Sequence, residues 1–538
     1  MALTLWLNLF MAAATYQART LPQLVAQSAQ AYGDRVAITD GDVQLTYQQL
    51  DAARRQAARA FMAAGLAQGE RIAIWAPNIY QWIIAAIGAQ SVGVVLVPLN
   101  TRMKGAEAGY ILRASQSRLL FTVADFLGVN YPALLASEEL PELRNTILLE
   151  GQADGTQSWA DFITAGEVIA DAEVTERSDA LTPDDTLDIL FTSGTTGNPK
   201  GVVTCHGQNI RTFENWSATV GLCKDDNYLV INPFFHSFGY KAGWLACIIR
   251  GAHILPVKSF DLDAVMSQIQ SDRVSMIPGP PTIYQSLLAH PNRSDYDLSS
   301  LRLAVTGAAP VPVALVEQMR KELGFEVVVT AYGLTESCGV VSICRADDSA
   351  QRISHTSGRA MEGVEMKLVD NHGQEVSVGN EGEIWFRGFN VMQGYLDDPE
   401  QTALAITPDG WLKTGDVGVM DADGYVRITD RIKDMFIVGG FNTYPAEIEN
   451  ILCSMPGIAR AAVIGVPDAR MGEVAHAYIV PAADEAIDEA AVIAWAKDNM
   501  ANYKVPRTVS FIAELPMNAG GKVLKNELRE LAAKVQEA

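Results

Sequence analysis

Residues 192–204, TSGTTGNPKGVVT, concentrate hydroxyl side chains and glycines around one lysine. The hydroxyl-bearing positions before the lysine are Thr192, Ser193, Thr195 and Thr196, and the glycines are Gly194, Gly197 and Gly201. Hydroxyls and uncovered backbone N–H groups donate hydrogen bonds to phosphate oxygens, and Lys200 adds a positive charge. The stretch therefore predicts a polyphosphate-binding loop. An ordinary surface loop is the alternative, because Ser, Thr and Gly are common in such loops.

The residues after this loop separate the pattern from the Walker A motif. Lys200 is followed by Gly201, where a Walker A loop has Ser or Thr. The β-branched residues Val202, Val203 and Thr204 then predict a strand instead of a helix. The sequence thus disfavours a Ras-like or kinase-like nucleotide site.

The length and composition of the chain limit its architecture and its partners. A chain of 538 residues is too long for one ordinary core, so we expect two or more lobes with an active site between them. Hydrophobic residues make up 49% and charged residues 19%, which is typical of a packed globular protein. The net charge of -22 argues against nonspecific nucleic-acid binding. An anionic substrate would need a locally basic cleft.

Cysteine usage and the N-terminus bear on the compartment. The six cysteines are scattered without a CxxC motif, which favours reduced thiols in a cytoplasmic protein and no structural metal. Residues 1–18 contain the apolar run LTLWLNLFMAAA, which lacks a preceding basic segment and is too short to span a bilayer. We interpret them as an N-terminal extension, with a secretory signal or loose membrane contact as alternatives. No other stretch reaches transmembrane length, so no integral membrane association is expected.

The first part of the chain alternates helix and strand patterns. Thr46 and Gln49 form a capping-box pattern before apolar positions at helical spacing, and Gly65 stands at the expected C-terminal cap. The remaining predictions are strands at 71–77, 94–100 and 118–123 and a buried helix at 79–90. This alternation predicts a parallel sheet with crossover helices. The acidic, irregular stretch 140–185 is interpreted as a connection between subdomains.

The pattern changes twice beyond the loop. Residues 186–345 predict a second α/β run, with strands near 188–192, 228–232, 252–257, 274–277, 302–306 and 326–330. Residues 360–430 predict short strands separated by turns, as in a small β-subdomain. After DRIKD (430–434) we expect a separate α+β lobe. The predicted fold class is α/β, with the extension at 1–18, a large N-terminal domain at 19–432 and a small mobile C-terminal lid at 433–538.

Two polar turns carry side chains that suit a nucleotide. In TAYGLTES (330–337), Tyr332, Thr335 and Glu336 provide an aromatic ring, a hydroxyl and a carboxylate for a purine, a phosphate and Mg²⁺. In TGD (414–416), the Asp416 carboxylate suits the hydroxyls of a ribose. Each stretch taken singly has an ordinary alternative, a simple turn or an Asx-turn.

Three cations lie towards the C-terminal end. Arg431 and Lys433 follow the last predicted β-turn, and Lys522 follows two glycines in PMNAGGKVLK. Each would ordinarily be interpreted as a solvated surface charge.

Together and in this order, TSGTTGNPKG, YGLTE, TGD, DRIKD and GGKVLK resemble the motifs of the AMP-forming adenylate ligases. That family includes acyl-CoA synthetases, peptide-synthetase adenylation domains and firefly luciferase. The resemblance covers residues 20–532. It implies a large N-terminal domain and a small lid that rotates between two half-reactions, in which ATP activates a carboxylic acid and coenzyme A then displaces AMP.

The resemblance also implies roles for individual residues. The β- and γ-phosphates of ATP would lie on residues 192–201, Thr335 would contact the α-phosphate, and Glu336 would hold Mg²⁺. The remaining ATP and AMP contacts would be made by Ala308, Ala309, Tyr332, Asp416 and Arg431. Lys433 would be the hinge, and Lys522 would reach the substrate carboxylate and the α-phosphate during adenylation. Gly439 and Gly440 would line the coenzyme A tunnel in the second step.

Such chemistry works by positioning and charge neutralisation and needs no protein nucleophile. We therefore assign no role to the cysteines, and Cys338 beside YGLTE is interpreted as a packing residue. His236, in NPFFHSFGYKAG, matches the family histidine between the acyl pocket and the thiol tunnel. We interpret it as a gate and not as an obligatory base, with a core histidine as the alternative.

Four longer stretches point to a narrower group within the family. They are NPFFHSFGYKAG (232–243), PGPPTIYQSLL (278–288), LRLAVTGAA (301–309) and DMFIVGGFNTYPAEIE (434–449). They are similar to stretches of bacterial CoA ligases that act on the propanoate side chain of the bicyclic indanedione left from steroid degradation. Gly243, Ala308 and Ala309 are small, which predicts room for a fused ring, whereas Ser237 and the N-terminal extension depart from that group.

Other functions remain as alternatives. A medium- or long-chain fatty acyl-CoA synthetase is the main one, and a carrier-loading adenylation module or a luciferase-like oxygenase are others within the family. From a different class, a non-catalytic nucleotide-binding scaffold would fit if the site were damaged. The expected ligands are a small carboxylic acid, ATP, Mg²⁺ and coenzyme A, with no nucleic acid, and we allow for a homodimer.

Overall fold

The computed structural model describes residues 18–192, 198–307, 311–370, 372–431, 436–482, 487–517 and 523–536. Its buried apolar residues form two separate cores. One contains residues from Ala18 to Val426 and the other residues from Phe436 to Ala532. We refer to these parts as the large lobe and the small lobe. They match the predicted large α/β domain and small α+β domain.

The large lobe contains three sheets. Its strands are β1 (Val36–Asp40), β2 (Val43–Thr46), β3 (Arg71–Trp75), β4 (Val95–Pro98), β5 (Leu119–Val123), β6 (Asn145–Glu150), β7 (Gln157–Ser158), β8 (Thr186–Thr192), β9 (Lys200–Cys205), β10 (Asn227–Val230), β11 (His253–Pro256), β12 (Met276–Gly279), β13 (Leu303–Thr306), β14 (Val327–Tyr332), β15 (Ser342–Ile343), β16 (Arg359–Ala360), β17 (Val364–Val369), β18 (Glu381–Gly388), β19 (Gly394–Tyr395), β20 (Leu412–Met420) and β21 (Val426–Arg431).

The helices of the large lobe connect and cover these strands. The α-helices are Leu21–Tyr32, Tyr47–Ala63, Tyr80–Gln90, Gly105–Ser115, Tyr131–Leu134, Trp159–Ala165, Asp171–Asp179, His206–Val220, Ser237–Gly239, Ala246–Arg250, Leu262–Ser271, Pro281–Ala289, Val313–Glu322, Ala350–His355 and Pro399–Ala405. A π-helical segment spans Tyr240–Leu245, and 3₁₀ turns span Gly166–Val168, Arg293–Asp295 and Thr335–Ser337. No helix in the described part of the chain is long and apolar enough to cross a membrane.

The two α/β runs predicted from the sequence exchange strands. The eight-stranded sheet has the order β19-β9-β8-β4-β3-β5-β6-β7, and the nine-stranded sheet has the order β16-β15-β14-β13-β12-β10-β11-β1-β2. Strand β1 therefore leaves the first run and pairs in parallel with β11, while β8 and β9 leave the second run and join β4. Strands β9 and β14 belong to different sheets, so a site formed by the loop before β9 and the turn after β14 uses residues connected to both sheets.

Local sequence signals explain the well-predicted elements. Thr46 caps the helix Tyr47–Ala63, because its hydroxyl accepts from the N–H of Gln49 and the Gln49 side chain accepts from the N–H of Thr46. Gly65 has φ +72°, the left-handed conformation expected of a residue that ends a helix. The strands predicted within 186–345 are confirmed as β8, β10, β11, β12, β13 and β14.

The interpretation of residues 140–185 as an irregular connection is wrong. This stretch contains β6, which extends the eight-stranded sheet beside β5, as well as β7 and two helices. Its helices bury few side chains, chiefly Phe162 and Val174, so the acidic outer faces obscure their apolar pattern. Ser158 caps the first of these helices by accepting from the N–H of Asp161.

The third sheet and the small lobe follow the predicted pattern. Strands β17, β18, β20 and β21 form a four-stranded antiparallel sheet, which confirms the small β-subdomain. The elements of the small lobe are the strands β22 (Phe436–Val438), β23 (Phe441–Thr443), β24 (Ile458–Asp468), β25 (Gly472–Pro481) and β26 (Thr508–Phe511) and the helices Pro445–Cys453, Glu489–Asn499 and Lys525–Gln536. The predicted hinge residue Lys433 lies outside the described residues.

Candidate active site

The predicted phosphate loop joins two antiparallel strands. Thr192, the last residue of β8, lies opposite Lys200, the first residue of β9. The strand predicted after the loop is therefore confirmed. Ser193, Gly194, Thr195, Thr196 and Gly197, predicted to bind the β- and γ-phosphates, lie outside the described residues.

Lys200 is held by residues that follow a distant strand. Its ammonium group donates to Oε1 of Gln401 at 2.5 Å and lies 5.1 Å from the centre of the Tyr395 ring. A cation over an aromatic face is attracted by the negative face of the ring. Lys200 is thus placed by Tyr395 of β19 and by Gln401 of the helix Pro399–Ala405.

Glu336 lies in the same cluster as Lys200. It belongs to the 3₁₀ turn Thr335–Ser337 that follows β14, and the Tyr395 hydroxyl donates to its Oε1 at 2.8 Å. The backbone carbonyl of Glu336 also accepts from the N–H of Met392 at 2.9 Å. We call Lys200, Glu336, Tyr395 and Gln401 the phosphate-side cluster. Of these, the sequence analysis identified only Lys200 and Glu336.

A second side-chain contact involves the last residue of β14, just before this turn. The hydroxyl of Tyr332, at the end of β14, donates to Oδ2 of Asp416 at 2.6 Å. Asp416 in β20 is the direct register partner of Arg431 in β21, so the backbones of these two predicted ribose residues lie side by side. We call Tyr332, Asp416 and Arg431 the nucleoside-side group. Ala308 and Ala309, predicted to lie near the adenine, are outside the described residues.

His236 lies at the carboxyl end of β10, beside the start of the helix Ser237–Gly239. Its Nδ1 accepts from the N–H of Phe238 at 3.2 Å, so in the neutral ring the proton lies on Nε2. The side chain is exposed to solvent, and desolvation by the protein packed around the ring lowers its pKa to about 4. His236 is therefore a neutral residue near pH 7, able to donate from Nε2.

The segment that carries His236 packs on the segment that carries Glu336. A Cβ placed on Gly339 would lie 3.1 Å from Cβ of Ser237, so the two backbones approach closely there. Cys338 next to it is buried, and burial raises the pKa of its thiol to about 12, so the thiol stays protonated near neutral pH. This supports its interpretation as a packing residue.

Gly243 does not widen a pocket, contrary to the expectation from its size. A Cβ at this position would lie 3.0 Å from Cγ1 of Val230 and 3.3 Å from the carbonyl oxygen of Phe238. Gly243 also carries the irregular φ and ψ angles of the π-helical segment. The glycine thus lets this segment pack on β10, and the prediction of a wide pocket is wrong for this residue.

Gly439 and Gly440 form the turn between β22 and β23. Their φ angles are +56° and +88°, the pair of positive values that a two-residue type I′ hairpin requires and that glycine adopts without strain. Next to them, the Phe441 ring lies 4.7 Å from the guanidinium carbon of Arg102 on the large lobe. The turn thus has a structural reason for its glycines, and their contact with coenzyme A stays a prediction. Lys522 lies outside the described residues.

Comparison of the sequence with known protein families identifies the family to which the chain belongs. The family model for AMP-binding enzymes matches residues 25–396. The family model for the AMP-binding enzyme C-terminal domain matches residues 447–522. The chain belongs to the AMP-binding enzyme family. The first match alone spans more than half of the chain, and it contains the phosphate loop, His236, Tyr332 and Glu336.

Several members of this family resemble the chain over nearly its whole length. A 3-[(3aS,4S,7aS)-7a-methyl-1,5-dioxo-octahydro-1H-inden-4-yl]propanoyl:CoA ligase of Rhodococcus jostii (strain RHA1) is 47% identical over 96% of this chain and 99% of that protein. The ligase of the same name from Mycobacterium tuberculosis (strain ATCC 25618 / H37Rv) is 48% identical over 95% and 99%. The solved structure of amide bond synthetase McbA from Marinactinospora thermotolerans superposes with a TM-score of 0.82, at 27% identity, over 95% and 99% of the two chains.

This member of the AMP-binding enzyme family has two distinct polar regions near the turn that follows β14. The nucleoside-side group offers an aromatic ring and a carboxylate, while the phosphate-side cluster offers a cation and a second carboxylate. Both regions lie at the carboxyl end of β14, the edge where ligands bind in parallel sheets. Two sets of polar groups thus lie near residues 332–336, and their binding of the base and the phosphates of a nucleotide stays a prediction.

Proposed function

We propose that this protein is an ATP-dependent, AMP-forming carboxylic acid:CoA ligase that activates a steroid-derived bicyclic propanoate through an acyl adenylate. The observation that carries the proposal is the 47% identity to the Rhodococcus jostii ligase across almost the full length of both chains. The name of that ligase specifies a propanoyl group on a methylated dioxo-octahydroindene. Contacts among the predicted nucleotide residues of the large lobe also support the proposal, since Glu336 and Lys200 both contact Tyr395 and Tyr332 contacts Asp416.

ATP binding is supported by the two polar regions on either side of residues 332–336. Asp416 accepts hydrogen bonds and would take the ribose hydroxyls, beside Arg431 on the neighbouring strand. Lys200 would neutralise charge on the β- and γ-phosphates, which leave together as pyrophosphate. In the first half-reaction the carboxylate oxygen of the acid bonds to the α-phosphorus, and the bond from that phosphorus to the pyrophosphate oxygen breaks.

The residues present fit Mg²⁺ bound jointly with ATP. The Tyr395 hydroxyl bonds Oε1 of Glu336 and leaves Oε2 of this partly exposed carboxylate for another ligand. Among the described residues no three His, Cys, Asp or Glu side chains form a metal-binding group. Mg²⁺ in nucleotide sites commonly uses one or two carboxylates together with phosphates and waters, and it would neutralise phosphate charge when bound.

The second half-reaction transfers the acyl group to coenzyme A. The thiol sulfur bonds to the acyl carbon, the mixed-anhydride bond breaks, and AMP leaves with the electron pair. Neutral His236 would line the passage between acid and thiol, where its Nε2–H can donate a hydrogen bond without adding charge. The hairpin at Gly439 and Gly440 would approach the pantetheine arm, and Lys522 would act only in the first half-reaction.

A substrate panel tests the proposal. The enzyme is incubated with ATP, Mg²⁺ and coenzyme A, and AMP formation is measured with the indanedione propanoate, octanoate and palmitate. We expect kcat/KM to be highest for the bicyclic acid. A preference for either fatty acid would instead establish a fatty acyl-CoA synthetase, and no acid-dependent pyrophosphate release from a broad panel would favour the non-catalytic nucleotide-binding alternative.

A cytoplasmic location and a homodimer are further parts of the proposal. Both substrates with phosphate groups, ATP and coenzyme A, are found in the cytoplasm, which supports the location. Cell fractionation tests the first, and light scattering of the purified protein tests the second.

A further inference from the structure

Tyr395 connects the positive and the negative side chain of the phosphate-side cluster. Its hydroxyl donates to Oε1 of Glu336 at 2.8 Å, and its ring centre lies 5.1 Å from the Lys200 ammonium. The tyrosine therefore contacts both charged groups, Glu336 through its hydroxyl and Lys200 through its aromatic face.

The backbone of Tyr395 is fixed to the strand that begins with Lys200. In the short strand β19, Tyr395 is the register partner of Val202 in β9. The N–H of Leu396 donates to the carbonyl of Gly201 at 2.7 Å, and the N–H of Tyr395 donates to the hydroxyl of Thr402 at 2.9 Å. These bonds fix the backbone of Tyr395, so the Tyr395 side chain extends towards Glu336 and Lys200 from a fixed position.

The hydroxyl of Tyr395 remains a donor throughout the neutral pH range. An ordinary phenol has a pKa of about 10, so the Tyr395 hydroxyl carries its proton at neutral pH. A hydrogen bond from a neutral phenol to a carboxylate is charge-assisted and directional. It occupies one carboxylate oxygen and so orients the other.

We propose that Tyr395 is a positioning residue for the phosphates of ATP: its hydroxyl orients the Glu336 carboxylate towards Mg²⁺ and its ring places the Lys200 ammonium. This inference rests on the proposed function, since it concerns how the same site receives the metal–nucleotide complex. Without the hydroxyl, the Glu336 side chain can rotate. The conformational entropy that it loses when it binds the metal then weakens metal binding. Partners that orient a metal ligand typically contribute about 10- to 100-fold to metal affinity.

The test uses the full-length protein and α,β-methylene ATP, in which a carbon replaces the oxygen at the bond that would break. Binding is measured by calorimetry across a series of Mg²⁺ concentrations, without acid or coenzyme A. For Tyr395→Phe we expect the Mg²⁺ concentration at half-maximal binding to rise about tenfold, with affinity approaching that of the unchanged protein at saturating Mg²⁺.

The chain offers a matched control at the other end of the nucleotide. Tyr332→Phe removes the same kind of hydrogen bond, from a tyrosine to the Asp416 carboxylate. We expect it to weaken binding of the analogue at every Mg²⁺ concentration without moving the Mg²⁺ midpoint. An equal shift of the midpoint in both variants would mean a general loosening of the site and would overturn the inference.

Repeating the Tyr395→Phe substitution in a Glu336 variant shows whether Tyr395 acts through Glu336. In Glu336→Gln protein, adding Tyr395→Phe should produce no further shift of the Mg²⁺ midpoint, because the oriented carboxylate is already gone. An undiminished tenfold shift in that background would overturn the proposed route. Tyr395→Leu should lose affinity even at saturating Mg²⁺, because Lys200 loses the ring as well.

Failure of the inference can be told apart from failure of the proposed function. If the unchanged protein binds the analogue with Mg²⁺ and Tyr395→Phe binds it with the same midpoint, Tyr395 has no positioning role and the function stands. If the unchanged protein does not bind the analogue at any Mg²⁺ concentration, the proposed function itself fails.

Discussion

The ammonium of Lys241 lies 3.0 Å from the carboxylate of Asp188, and neither side chain reaches solvent. The hydroxyl of Thr204 donates to the same Asp188 oxygen at 2.6 Å and accepts from Lys241 at 3.1 Å. Asp188 lies in β8, shortly before the phosphate loop, and Lys241 lies in the π-helical segment shortly after His236. This buried ion pair therefore ties the strand that enters the phosphate loop to the segment that carries His236.

Lys241→Met is expected to destabilise the large lobe strongly. It leaves the Asp188 carboxylate buried without its cation, a change that typically costs about 3–5 kcal/mol. Thermal unfolding, followed by calorimetry on the two-lobed protein, should show a lower midpoint for the large-lobe transition. The double variant Lys241→Met with Asp188→Asn removes both charges and should recover much of the loss. Equal destabilisation of the single and the double variant would contradict this account.

Stability should fall as the pH drops from 7 to 5 because of His206. Its Nδ1 accepts from the N–H of Leu21 at 3.0 Å, and burial lowers its pKa to about 4. Below about pH 6.5 the unfolded chain binds a proton on this histidine that the folded protein excludes, so the folded state loses about 2 kcal/mol by pH 5. Urea unfolding at the two pH values measures the loss.

Two glutamine variants isolate this effect. Glutamine at position 206 can accept from the N–H of Leu21 but does not titrate, so His206→Gln should remove about 2 kcal/mol of the stability loss between pH 7 and pH 5. His236, whose pKa is also lowered to about 4, keeps its own contribution in this variant. His372→Gln changes an exposed histidine and should leave the profile as it is. If His206→Gln keeps the full slope, the pH dependence comes from other groups.

The sequence predicted the parts of the site that lie in local motifs. Tyr332 ends β14 and Glu336 follows it in a 3₁₀ turn, at the carboxyl edge of a parallel strand where polar residues are conspicuous. Asp416 lies within β20, in the short TGD motif. Tyr395 and Lys241 have no such signal, because their partners are 59 and 53 positions away along the chain. Their contacts depend on β8, β9 and β19 crossing into the sheet of the first run, and no local pattern encodes that pairing.

Two errors in the sequence analysis have related physical causes. The helices within 140–185 bury so few apolar side chains that their periodicity is weak, although β6 and β7 place them firmly on the sheet. A side chain at Gly243 would meet Val230 and the Phe238 carbonyl, which explains the glycine there. The sequence shows that a residue is small or polar. The neighbouring residue that requires a small or polar side chain there is known only from the folded structure.

Lys522→Ala should separate the two half-reactions. Its predicted role is to neutralise charge on the substrate carboxylate and the α-phosphate, so adenylation should fall by about 10²-fold or more. Thioester formation from a supplied acyl adenylate should stay within about twofold, because AMP leaves without a new phosphoryl transfer. Pyrophosphate release measures the first step and thioester formation the second. Equal loss in both steps would contradict the division of roles.

A buried contact between the lobes suggests a variant that should slow thioester formation and spare adenylation, the reverse of Lys522→Ala. The ammonium of Lys504 on the small lobe lies 2.6 Å from Oε1 of Glu107 on the large lobe and 2.7 Å from Oε1 of Glu447 on its own lobe. Tyr503 beside it stacks on the Phe441 ring at 4.8 Å. The lobe face docked in this way includes the hairpin of Gly439 and Gly440, the turn assigned to the thioester step.

Glu107→Gln should weaken this docking while keeping both lobes folded. A glutamine can still accept from the N–H of Lys104, as Glu107 does, and Lys504 keeps its partner Glu447. A loss of about 1.4 kcal/mol in docking would lower thioester formation from supplied acyl adenylate about tenfold, with adenylation nearly unchanged. Glu138→Gln, which breaks the Arg113 ion pair within the large lobe, is the control and should affect neither step. If Glu107→Gln instead slows adenylation alone, the docked face serves the first half-reaction, and the hairpin glycines do not reach coenzyme A from this orientation.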